Sequence, residues 1–152
     1  MIVREALAGD RDAVVRLAAR LAAFGPPAWR TAAEIVTAEA RTLLAHLDAP
    51  RAGCALLVAE SRGGEVLGFA FLETLEDYFT GERHGHVGIL AVAEAAEGKG
   101  VGRALLTASD DWARAQGYGR LTLTVFAGNR RARTIYERFG YQAETIRYVR
   151  LL

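Results

Sequence analysis

One stretch limits the possible folds of this chain more than any other. It runs from Val92 through Ala93-Glu94-Ala95-Ala96-Glu97-Gly98-Lys99-Gly100-Val101-Gly102 to Arg103-Ala104-Leu105-Leu106. It leaves an apolar strand, crosses alternate glycines and enters an amphipathic helix. Gly98, Gly100 and Gly102 lack Cβ atoms, so the backbone there can turn sharply and come close to a ligand. The helix after the turn directs unpaired N–H groups and the positive end of its dipole back at it. Strand, glycine turn and helix start together form a receptor for phosphate. The competing reading is an ordinary glycine-rich connection between a strand and a helix.

Spacing excludes two phosphate motifs. A P-loop needs Gly-x-x-x-x-Gly-Lys-Ser/Thr, and Lys99 is followed by Gly100. A dinucleotide fingerprint needs Gly-x-Gly-x-x-Gly, and the sixth position counted from Gly98 is Arg103.

The bounds set by composition are broad. At 152 residues, a single domain spanning 1–152 is the natural expectation. A net charge of +1 gives no electrostatic case for nucleic acid or for an anionic membrane. No apolar run approaches the roughly 20 residues needed to cross a bilayer. Met1-Ile2-Val3-Arg4-Glu5 is charged at once and lacks the apolar core of a signal peptide. The lone Cys54 makes no intrachain disulfide and suits a reducing cytoplasm. A cytoplasmic location is therefore expected.

Periodicity predicts the elements. Ile2 to Ala6 reads as a strand. Gly9-Asp10 opens a helix with Val14, Leu17, Ala18 and Leu21 on one face, and Pro26-Pro27 ends it. Thr31-Ala-Ala-Glu34 is a capping box for a second helix, with Val36, Ala40, Leu43 and Leu47 as its apolar stripe. From Gly53 the period changes. Cys54 to Glu60 and Glu65 to Leu72 are strands joined by Arg62-Gly63-Gly64, and Gly85 to Val92 reads the same way. Apolar residues on both alternating faces predict a sheet covered on both sides. Val101 to Gln116 is a helix, Leu121 to Val125 a strand, Arg130 to Phe139 a helix, and Tyr141 to Leu152 is extended.

This order and several local patterns resemble the GCN5-related N-acetyltransferase (GNAT) superfamily, over essentially the whole chain. The acyl-CoA loop of that superfamily is Arg/Gln-x-x-Gly-x-Gly/Ala. Gly100-Val101-Gly102 fits it, with Glu97 in the Arg/Gln place. Leu90-Ala91-Val92 looks like the family's fourth strand. Asn129, Ala132, Tyr136 and Phe139-Gly140-Tyr141 look like its Asn…Ala…Tyr…Gly-Phe segment. The resemblance implies an α/β (α+β) fold: a mixed, mostly antiparallel sheet of six to seven strands with helices on both faces, its fourth and fifth strands splayed.

It also implies an acetyl-CoA-dependent N-acetyltransferase that moves acetyl to a small-molecule or peptide amine by direct attack, with no metal. The alternative is a non-catalytic acyl-CoA binding or sensing domain. By resemblance, the backbone of Leu90, Ala91 and Val92 would pair with the pantetheine arm. The amides of Gly98, Lys99, Gly100, Val101, Gly102 and Arg103 would hold the pyrophosphate. Tyr136 would protonate the leaving thiolate, although it also completes an apolar helical face. Asn129 would bond the pantetheine amides, and a helix N-cap is its other reading. Arg131 is the choice among Arg130, Arg131 and Arg133 for the 3′-phosphate.

Three points depart from the pattern. Glu97 should repel a pyrophosphate unless Lys99 and Arg103 offset it or it turns to solvent. The strand glutamate that many members use as a base is absent, and His86 and Glu73 are the substitutes. The pair His84-x-His86 has no cysteine or carboxylate cluster to make a metal site. Glu73 to Arg83 reads as a polar loop whose Glu73, Glu76, Asp77, Tyr78 and Phe79 would meet a cationic amine, facing Phe24 and Trp29 across the site. Finally, Tyr141 to Leu152 has no internal turn, so a final hairpin is missing. An unpaired edge predicts a homodimer through the C-terminal strand.

Overall fold

The computed structural model describes residues 1–152. Its five strands are β1 (Ile2–Glu5), β2 (Ala55–Glu60), β3 (Val66–Glu76), β4 (Arg83–Val92) and β5 (Leu121–Leu123). The helices are α1 (Arg11–Ala18), α2 (Ala32–Asp48), α3 (Val101–Ala115) and α4 (Arg130–Phe139), with a short 3-10 turn at Ala19–Ala22. One sheet has the order β1-β2-β3-β4-β5. Its pairs are antiparallel as far as β4, and β4–β5 is parallel.

Alternation along β2 explains the layering. Leu56 and Val58 point to one face and join Val14, Ala18 and Leu43 from α1 and α2. Ala55, Leu57 and Ala59 point to the other and join Val101 and Leu105 from α3. Phe69 and Phe71 continue the first face and are almost wholly buried. Helices thus cover both faces, as the two-sided apolar strands require.

The local signals at helix ends act as their chemistry dictates. The Thr31 hydroxyl accepts from the Glu34 amide, and the Glu34 carboxylate accepts from the Thr31 amide. Asp10 does not cap α1 through its side chain. Its buried carboxylate instead accepts from the Leu7 amide at 2.7 Å and pairs with Arg4, which also reaches Glu60 on β2. That ion cluster fastens the start of α1 to β1 and β2.

The sheet has five strands, so the expectation of six to seven is corrected. Tyr141 to Leu152 forms no strand. Tyr141 packs its ring against Tyr136 and Phe139, and the chain beyond it joins no ladder. The outer strand β5 is only Leu121–Leu123, shorter than the expected Leu121–Val125, and offers little edge to extend. The expected loop at Glu73–Arg83 is partly strand. β3 and β4 pair out to Glu76↔Arg83, and only Asp77 to Glu82 turns. The Asp77 carboxylate holds that turn by accepting from the amides of Phe79 and Thr80.

The candidate acyl-CoA site

β4 and β5 run side by side only over Gly85–Val87, paired with Leu121–Leu123. Beyond Val87 the strands part, and Gly88–Val92 keeps β3 on one side and no strand on the other. The expected splay is therefore a wedge open toward the carboxyl ends of both strands. A register shift marks its apex: Phe71 pairs with Ile89 and Leu72 with Val87, so Gly88 is an extra residue in β4. Such a bulge twists the strand and re-aims the residues beyond it. Leu90, Ala91 and Val92 all lie on the free edge.

The glycine loop sits just past the end of β4. Gly100 is the N-cap of α3 at φ 81°, a left-handed conformation that glycine adopts without strain, and Gly98 has φ 73°. The amides of Lys99 and Ala104 have backbone acceptors at Ala96 and Gly100. Those of Gly98, Gly100, Val101, Gly102 and Arg103 have no acceptor in the protein. The Lys99 amide is therefore not a free donor, which differs from the expected set. The remaining unpaired donors at a helix start suit a pyrophosphate, and the open strand edge suits an extended amide-bearing arm. The residues present fit acetyl-CoA on these two observations.

Glu97 neither turns to solvent nor relies on Lys99 and Arg103. Its two oxygens accept from Arg20 and Arg131, each at 2.5 Å. Hydrogen bonding from Arg131, with help from Arg20, holds its carboxyl below the ordinary range. Both guanidiniums lie over the Phe24 ring, at 5.1 and 5.9 Å from its centroid. Phe24 therefore belongs to this cluster and not to an acceptor wall, and Arg131 is engaged with Glu97 rather than free for a 3′-phosphate. Glu97 follows β4 and Arg131 follows β5, so the pair ties the continuations of the two diverging strands. No sequence pattern singled out Arg20, which lies in the 3-10 turn after α1.

Asn129 is the N-cap of α4: its side-chain oxygen accepts from the Ala132 amide at 3.1 Å. Tyr136 is half-buried beside Tyr141, with ring centroids 5.9 Å apart. Burial raises its phenol above the usual range, so it holds its proton at neutral pH. α4 buries none of its residues fully, and its apolar stripe is only half covered.

On the sheet face covered by α2, a polar row crosses three strands at the apex of the wedge. Glu73 and His86 are cross-strand partners, and His86 Nδ1 lies 2.8 Å from Thr122 Oγ1 on β5. Burial lowers the His86 pKa, partly opposed by Glu73, so the ring is neutral near pH 7. His84 sits two residues away on the same face, buried, with Nδ1 unpartnered. No group of three or more metal-ligating side chains occurs. Tyr78 and Phe79 stand at the hairpin tip, 93% and 84% exposed and in contact with each other, well out along the hairpin from Glu73. Trp29 is about half exposed as well. The aromatic acceptor wall is not assembled.

The sequence profile of the Acetyltransferase (GNAT) family matches residues 17–141. The chain belongs to that family of acetyltransferases. It is 34% identical over 135 residues to a mycothiol acetyltransferase of Amycolatopsis mediterranei, an alignment covering 87% of this chain and 42% of that protein. This chain thus spans less than half the length of that relative. It is 33% identical to YhfO of Bacillus subtilis, an uncharacterized N-acetyltransferase, over 95% of this chain and 92% of that one. A ribosomal-protein-alanine N-acetyltransferase from Brucella melitensis has the same fold, with a TM-score of 0.72 at 22% identity over the full length of both chains. No helix is long and apolar enough to cross a membrane.

Proposed function

We propose that this protein is an acetyl-CoA-dependent N-acetyltransferase that transfers acetyl to a primary amine by direct attack within a ternary complex. The observation that carries the reading is the conjunction of the wedge with the unpaired amides at the start of α3. One binds an extended amide chain along Gly88–Val92, and the other binds a pyrophosphate. The names of the relatives support an acetyl group as cargo.

Each chain element then has a task. The amides from Gly98 to Arg103, less that of Lys99, hold the phosphates. The free edge at Leu90–Val92 aligns the arm and offers an N–H to the thioester oxygen. Tyr136 supplies a proton to the departing sulfur. Cys54 forms no covalent intermediate in this scheme.

The test is thermal unfolding with and without excess acetyl-CoA. A ligand at about 100 times its dissociation constant adds roughly 2.7 kcal/mol. The midpoint should rise by several degrees, and thiol release with an amine panel should accompany it. Absence of any rise in the folded protein would refute the coenzyme site. A rise without turnover on any amine would favour the binding or sensing alternative.

We also propose a homodimer through the C-terminal segment. Ile146, Tyr148 and Leu151 are 75%, 88% and 69% exposed, an apolar surface that a second copy would cover. Light scattering at micromolar concentration should give the dimer mass; a monomer mass would refute it.

A further inference from the structure

The polar row at the wedge apex has a cover that periodicity did not identify. The fully buried residues of α2 are Ile35, Leu43 and His46; of the expected stripe, Leu43 is among them, and Val36 and Leu47 pack part-buried against the same core. Glu39 lies four residues from both Ile35 and Leu43, so it is on the inward face of α2. It is half-buried and makes no hydrogen bond or ion pair with the protein. Glu73, on the β3 face that α2 covers, also makes no ion pair, and its charge reaches Glu39. Glu73 in turn reaches over the bulge: a methyl placed on Gly88 would stand 3.1 Å from its Oε1. The buried His84, with its unpartnered Nδ1, and neutral His86 complete the surroundings. Half-buried carboxylates normally find cations or donors. Here two half-buried carboxylates lie on one side of the sheet where the strand edge opens, and neither makes an ion pair, although Arg51 and Arg83 line the cavity beside Glu73.

We propose that Glu39, paired with Glu73, holds the ammonium of a cationic acceptor above Gly88 and that Glu39 accepts its proton. The proposal rests on the transferase reading above. The ammonium N–H bond breaks and its proton passes to the Glu39 carboxylate. The freed nitrogen lone pair then forms the C–N bond to the thioester carbonyl carbon, and the C–S bond breaks. The sulfur leaves with the electron pair and takes a proton from Tyr136, which recovers one from the acylated nitrogen. The proton on Glu39 is lost to water. Burial first, and then Glu73, raises the Glu39 carboxyl above the ordinary range, which makes it a stronger base than a free carboxylate.

The test compares Glu39→Gln and Glu39→Leu with the native protein, using phenethylamine as a charged acceptor and aniline as one that is neutral at pH 7. Acetyl-CoA-induced thermal shifts are read on the same samples. The expected result is a loss of about a hundredfold in kcat/KM for phenethylamine. Activity on aniline should stay within about threefold, and the acetyl-CoA shift should be unchanged. Glu39→Leu completes an apolar stripe, so it should unfold no earlier than the native protein while remaining as slow on phenethylamine. Equal losses on both acceptors, or no loss on phenethylamine, would overturn the proposal. A native protein that binds acetyl-CoA but acetylates only neutral acceptors, or none, would also overturn it while leaving the coenzyme site standing. Loss of the native acetyl-CoA shift would remove the transferase reading itself.

Discussion

Arg131, in the first turn of α4, holds Glu97, in the loop before α3, at 2.5 Å, and Arg20 holds the other oxygen of the same carboxylate. A residue that should repel a pyrophosphate is thus neutralised before any phosphate arrives. Removing the charge frees two guanidiniums beside an anion receptor. Glu97→Gln should therefore tighten acetyl-CoA binding by roughly three- to tenfold at low salt, with a smaller gain at high salt. Calorimetric titration at two ionic strengths checks this. Weaker binding would mean that the ion pairs are needed to shape the loop.

Tyr136 carries a phenol that burial keeps protonated. Tyr136→Phe removes the proton and little packing. Turnover should fall by about a hundredfold with the acetyl-CoA KM changed less than about twofold. Steady-state kinetics with a fixed amine separates the two parameters. An unchanged kcat would take Tyr136 out of the reaction and leave it as part of the half-covered face of α4.

Asp10 offers a stability test away from the site. Its carboxylate is 7% exposed as a residue, accepts from the Leu7 amide and pairs with Arg4. The hydrogen bond from Arg4, against the cost of burial, holds its carboxyl below the ordinary range. Because the folded value is lower than the unfolded value of about 3.9, the contribution is complete above that value. It is lost as pH falls through the folded value. Asp10→Asn should cost about 2 kcal/mol at pH 7, lowering the melting midpoint by several degrees. The difference from the native protein should shrink below about pH 4. Thermal scans across that range read both effects.

Gly25 joins the two halves of the site in another way. At φ 65°, a Cβ there would stand 2.3 Å from the Asn129 nitrogen, so the loop after α1 lies directly on the start of α4. Gly25→Ala should destabilise by more than about 1 kcal/mol. It should also speed hydrogen exchange at the Ala132 amide, which Asn129 caps. Exchange mass spectrometry over 126–136 checks the local effect, and uniform protection would refute the contact as a restraint.

Local chemistry determined much of this protein. The capping box at Thr31 and Glu34 needs only residues three apart. The turn at Arg62-Gly63-Gly64, the two-sided apolar strands and the glycine loop before α3 also depend on neighbours in the chain. Backbone preferences and period act over a few residues, and a sequence displays them directly. Tyr141–Leu152 shows the limit of that reading. Its composition suits a strand, yet a strand exists only beside a partner, and three residues of β5 provide none. The inner face of α2 shows the same limit. Leu43 sits on the inner face as its period suggests, but packing also takes Ile35 and His46 there, with Val36 and Leu47 only part-buried beside them.

The site was divided along the same line. Gly98, Gly100 and Gly102 announced an anion receptor, because the absence of side chains is itself the signal. Only the tertiary structure decided what surrounds it. Arg20 and Glu97 are 77 residues apart, and Glu39 lies far from both Glu73 and His86 in the chain. Charges at such separations interact only after the sheet and helices have fixed their positions. Sequence set the backbone that can bind a phosphate; packing chose the charges that face it.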